Sequence, residues 1–133
     1  MQVDRRNFLK YAAASGLMSA CVSSDLQGAN EMYGLIVKVT IVPGKREEMI
    51  RILKESAADM PGCFSYVVAK DAMDENVIWV TEVWNSAASH DGSLSLPQVK
   101  NVIPQAKPLV ANFERIAVTN PVWGHGLPPA HSS

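Results

Sequence analysis

Apolar residues recur at every second position from Tyr33 to Val42. Leu35, Val37, Val39 and Ile41 lie on one face and Lys38 and Thr40 on the other, which predicts a half-buried first strand. Pro43-Gly44 stops it. From Lys45 to Met60 the period changes: Met49, Ile50, Leu53, Ala57 and Met60 stand three and four apart, the spacing of an amphipathic helix that Pro61-Gly62 ends. Alternation returns from Cys63 to Lys70, with Phe64, Tyr66 and Val68 opposing Cys63, Ser65, Val67 and Ala69, and predicts a second strand. A polar turn, Asp71 to Asn76, leads into VIWVTEVW (Val77 to Trp84), the strongest strand signal in the chain, and the short connection predicts a hairpin.

Asn85-Ser86 can cap a helical stretch that begins at Ala87 and is interrupted near Gly92. A further helix is expected from about Leu96 to Val110. Pro104 and Pro108 lie inside it, and each removes a backbone donor and crowds the preceding turn, so a kink or two short helices are expected there. A last strand, Phe113 to Thr119, precedes the Pro/Gly-rich tail. The order β-α-β-β-α-β is the split βαβ, ferredoxin-like motif of the α+β class. Both helices cover one sheet face in that motif. The bare face, carrying aromatic and aliphatic residues, needs a cover of its own, and a homodimer is the structural expectation.

The N-terminal residues have a different organisation. Asp4-Arg5-Arg6-Asn7-Phe8-Leu9-Lys10 precedes an alanine-rich, weakly apolar run from Tyr11 to Ala20, which resembles a bacterial signal peptide of the twin-arginine type. A run of about ten residues is too short for a hydrocarbon core that needs roughly 20. Met18-Ser19-Ala20-Cys21 resembles a lipobox, in which Cys21 becomes lipid-modified and tethers the mature chain to a membrane; two acyl chains suffice for stable anchoring. The expectation is export by the twin-arginine route to a periplasmic or membrane-anchored location. Val22 to Glu31 is small and polar and reads as a linker. The chain divides into a signal segment (1–21), a linker (22–31), a folded domain (32–120) and a tail (121–133).

At 133 residues and 47% hydrophobic, the chain has room for a single core. A formal net charge of −1, without a basic patch interleaved with aromatics, argues against a nucleic-acid partner. Cys21 and Cys63 lie in unrelated contexts, so no disulfide is expected. Without a CxxC or Cys/His spacing, no metal site is expected either.

Met60-Pro61-Gly62-Cys63-Phe64-Ser65-Tyr66, followed by Glu82-Val83-Trp84, resembles the signatures of antibiotic biosynthesis monooxygenase domains. Trp84-Asn85-Ser86, then His90-Asp91-Gly92-Ser93-Leu94, Leu96-Pro97, Ile103 and Lys107-Pro108-Leu109-Val110, resembles the quinol monooxygenase branch of that family. The resemblance spans about Met32 to Gly126. It implies a dimeric α+β barrel with a pocket between sheet and helices in each subunit. It also implies oxidation of a quinol or related phenolic aromatic by molecular oxygen, with no metal, flavin or other cofactor. Relatives that degrade haem, isomerise or have no known activity leave two alternatives: a non-catalytic small-ligand or haem-binding module, and an isomerase-like activity. The first strand lacks the asparagine that haem-degrading relatives carry there.

Oxygenation without a cofactor requires an electron-rich substrate anion, and so a base, donors for the anion and a dry pocket. Histidine is the natural base near neutral pH. His90, just beyond the third strand where the family's pocket opens, is the first candidate, against a surface or capping role. Many relatives have a histidine three positions later, where this chain has Ser93, which can donate a hydrogen bond but cannot replace a base. Trp84 shares a strand face with Glu82, opposite Trp79. It is a candidate donor to an oxyanion, or a core or interface residue. Glu82 is a candidate to orient His90, or to pair with a lysine or arginine across the dimer. Tyr66 and Asp91 are candidates for substrate binding, with sheet packing and helix capping as the alternatives. Cys63 reads as a buried small hydrophobe, and His125 and His131 as solvated tail residues.

Overall fold

The computed structural model describes residues 31–129. Strand β1 (Tyr33–Ile41) leads to helix α1 (Arg46–Ser56), strands β2 (Cys63–Lys70) and β3 (Val77–Trp84), helices α2 (Ala87–Ser93) and α3 (Pro97–Ala106), a 3-10 turn (Lys107–Leu109) and strand β4 (Val110–Thr119). The four strands form one antiparallel sheet in the order β2-β3-β1-β4, which is the ferredoxin-like arrangement expected from the periods.

Three boundaries differ from the sequence reading. Helix α1 stops at Ser56 rather than Met60, because Asp59 and Gly62 both take positive φ and turn the chain toward β2. Helix α2 runs through Gly92 to Ser93 instead of breaking there. Pro104 is accommodated inside α3, and Pro108 ends α-helical geometry by converting Lys107–Leu109 to a 3-10 turn, so β4 begins at Val110, three residues earlier than expected.

The core lies between one sheet face and helices α1 and α3. Leu35, Val37 and Val39 of β1, Ile78 and Val80 of β3, Met49 and Ile52 of α1, and Val102 and Ala106 of α3 are all buried there. Two irregularities decide which neighbours join them. In β4, Arg115 pairs with Val37 and Ala117 with Ile36, so Ile116 is an extra residue. That bulge turns Phe113 and Arg115 onto the helix-covered face, while Ala117 and Thr119 stay on the other. In β2, Cys63 pairs with Trp84 and Tyr66 with Glu82, so Phe64 bulges out. Cys63 and Tyr66 therefore share a face, a correction to simple alternation, which set Phe64 with Tyr66 and opposed both to Cys63. Among the described residues no helix lies over the sheet's other face, and Val67 on it is 49% exposed.

The β2–β3 hairpin is closed by Asp71. Its Oδ1 accepts the backbone N–H groups of Met73 (2.8 Å) and Asp74 (2.9 Å), and its Oδ2 accepts the Trp79 indole N–H (2.7 Å). The Trp79 bond first, then the two backbone bonds, hold the Asp71 carboxyl down at about 2.

Candidate active site

On β3 the period of two sends Val80, Glu82 and Trp84 to the helix-covered face. Trp84 is 1% exposed, and its indole N–H donates to Glu82 Oε2 at 2.7 Å. Helix α2 starts three residues later. Ser86, extended at the N-cap, accepts the Ser89 N–H on its hydroxyl at 3.1 Å and sets the helix direction. One turn on, His90 folds back over the strand, edge-on to Trp84 (ring centroids 5.6 Å, 80°) and tilted against Tyr33 (5.2 Å).

His90 is buried, with a carboxylate near each ring nitrogen. Nδ1 is 3.3 Å from Asp91 Oδ1, and Nε2 is 3.9 Å from Glu82 Oε2. The second separation is too long for a hydrogen bond but within ion-pair range. A proton taken by the ring would lie between these two carboxyl groups.

Glu82, Trp84 and His90 face a cavity of about 180 Å³. Its walls are mostly apolar: Leu35 and Val37 of β1, Met49 and Leu53 of α1, Val102 and Ile103 of α3. The polar lining is Glu82, His90, Ser93 and Ser56, with Tyr66 from β2 and Arg115 from β4. Burial pushes the Glu82 carboxyl above the usual carboxylate range, opposed by His90, by the Trp84 hydrogen bond and by Arg115. Burial, and then the Glu82 charge, push the Tyr66 phenol and the Cys63 thiol up as well.

Glu82, Trp84, His90, Ser93 and Tyr66 thus converge on one cavity, and Asp91 stands behind His90 without lining it. Several roles change. Trp84 does not offer its indole hydrogen to a ligand, because Glu82, two residues earlier on the same strand face, takes it. Ser93 donates its hydroxyl hydrogen to the His90 carbonyl at 2.6 Å, so toward the cavity it presents only lone pairs. Asp91 is not a cap; Ser86 fills that place. Arg115 of the same chain, after His90 and the Trp84 hydrogen bond, adds a positive charge that favours the Glu82 carboxylate. His125 is exposed in the tail, and Cys21 and His131 lie outside the described residues. Among the described residues no three His, Cys, Asp or Glu side chains are grouped to hold a metal ion.

Sequence reasoning missed two residues. Tyr33 packs on His90 from the first residue of β1. Arg115 reaches the cavity only because of the bulge at Ile116; beside Glu114 in a strand of mixed polarity, its charge gives no sequence signal of an inward position.

The family model for antibiotic biosynthesis monooxygenases matches residues 32–105. A solved structure from Chloroflexus aurantiacus J-10-fl, of a candidate antibiotic biosynthesis monooxygenase, is 52% identical with a TM-score of 0.70, covering 73% of this chain and 99% of that one. Another, from Caulobacter crescentus CB15, is alike in fold, with 21% identity, a TM-score of 0.62 and coverage of 71% and 92%. An uncharacterised protein of a Synechocystis strain is 25% identical over 115 residues, 84% of this chain and 78% of that protein.

Proposed function

The chain belongs to the antibiotic biosynthesis monooxygenase family, and on that premise we propose that it oxidises a small hydroxyaromatic, a quinol or related phenol, with molecular oxygen. The observation that carries this reading is the buried Glu82–His90 pair on the wall of an otherwise apolar cavity. An aromatic ring gains from leaving water for such walls. Its hydroxyl is then left to the few polar groups there.

In this mechanism His90 Nε2 takes the hydroxyl proton. The resulting imidazolium is held between Asp91 and Glu82. The substrate anion passes an electron to oxygen, and the two radicals combine on a ring carbon. Loss of water then leaves one oxygen atom in a hydroxyquinone and the other in the water. The two electrons that reduce the second oxygen atom come from the quinol itself, so the substrate serves as the reductant. The apolar walls keep bulk water from the anion while oxygen reacts.

Oxygen consumption with a panel of reduced quinones tests the reading. His90→Ala is expected to lower kcat by about 10²- to 10⁴-fold, the usual worth of a general base. No uptake by the wild type above autoxidation would leave the cavity a binding site only.

The same reading extends to a homodimer through the bare sheet face, supported by half-exposed Val67 there. It extends also to export by the twin-arginine route with a lipid tether at Cys21, supported by the Arg5-Arg6 and Met18-to-Cys21 motifs. Mass spectrometry of the mature N-terminus decides the second; a chain that still begins at Met1 refutes it.

A further inference from the structure

An oxyanion in the cavity requires a donor, and two of the candidates are already engaged. The Trp84 indole hydrogen goes to Glu82 and the Ser93 hydroxyl hydrogen to the His90 carbonyl. Among the described residues, the charged or titratable groups facing the cavity are Glu82 from β3, His90 from α2, Tyr66 from β2 and Arg115 from β4; α1 and α3 contribute none. Arg115 alone among these carries a permanent positive charge. A guanidinium carries five N–H donors in a planar fork whose geometry matches a charged oxygen. The bulge at Ile116 is what turns this side chain inward; unbroken alternation from Thr119 would leave position 115 on the bare face.

We propose that the cavity binds its hydroxyaromatic ligand as the oxyanion, with Arg115 holding the charged oxygen and the Glu82–His90 pair receiving the proton. The O–H bond breaks, the proton stays on the pair, and no electron moves in this step. Arg115 thereby selects for acidic phenols and enols over neutral aromatics and over aryl methyl ethers, which have no proton to give. The proposal rests on the reading of the cavity as an aromatic-hydroxyl site but does not need turnover.

The test uses 4-nitrophenol, whose two ionisation states absorb differently, titrated with the full-length protein across its own ionisation range. In the wild type the bound probe is expected to ionise at a pH at least about one unit below the free probe, a tenfold preference for the anion. Arg115→Gln is expected to erase that preference, and Arg115→Lys, which keeps the charge but loses the fork, to restore part of it. Circular dichroism establishes that each variant is folded. The proposal is overturned if folded Arg115→Gln retains the wild-type preference, or if the wild type favours neutral 4-nitrophenol or does not bind it. An intact anion preference without oxygen uptake from quinols would overturn the monooxygenase reading and leave this one standing.

Discussion

Glu82 occupies a strand position where alternation on the covered face otherwise places apolar side chains, and it stays there because its lone pairs have partners. Burial disfavours the carboxylate, while His90, the Trp84 N–H and Arg115 favour it, and burial wins. The consequence for stability has a definite sign. Below the ordinary carboxylate range both folded and unfolded chains hold the Glu82 proton. As pH rises through that range the unfolded chain loses it first, so folding stability falls toward neutrality. Glu82→Gln keeps an oxygen for the Trp84 hydrogen and removes the titration. Its melting temperature relative to wild type should therefore climb as pH is raised from about 4 to about 8. Parallel melting curves across that range would contradict the assignment.

At the level of elements, the α1–β2 connection must turn sharply to let α2 pack beside it. Gly62 takes φ +83°, and a Cβ there would lie 2.6 Å from the Ser89 hydroxyl oxygen and 2.7 Å from Asn85 Oδ1. Its carbonyl also accepts the Asn85 N–H at 2.8 Å, which ties the turn to the start of α2. Gly62→Ala should cost about 1 to 3 kcal/mol in urea denaturation, combining backbone strain with displacement of the capping cluster. Gly44 has a similar φ of +81° but open space around it, so Gly44→Ala isolates the backbone part and should cost less. Equal losses would mean that the contact with α2 contributes nothing. Because α2 carries His90, Gly62→Ala should also weaken activity more than Gly44→Ala does.

At the scale of the whole molecule, α1 and α3 fill one sheet face, and among the described residues no helix covers the other. If a second copy covers it, Val67→Lys should shift sedimentation from dimer to monomer, and a monomeric wild type would refute that assembly. How much of this was legible beforehand follows from what each pattern depends on. Local periods need only the chain's own geometry, so β1, β3, the helical runs and the ferredoxin-like order could be read from spacing. So could the shared face of Glu82 and Trp84, since two residues on one strand have no other choice. Element ends, Cys63 beside Tyr66 and the inward turn of Arg115 depend on which strand pairs with which residue. A single bulge there inverts the face of everything beyond it. The destinations of the Trp84 and Ser93 hydrogens likewise depended on which acceptor packing brought within reach. The sequence by itself thus determined the elements, their order and the polar residues available to a cavity. Tertiary structure alone decided which of those residues face it and which donors remain for a ligand, because sheet register and hydrogen-bond pairing are set between segments distant in the chain.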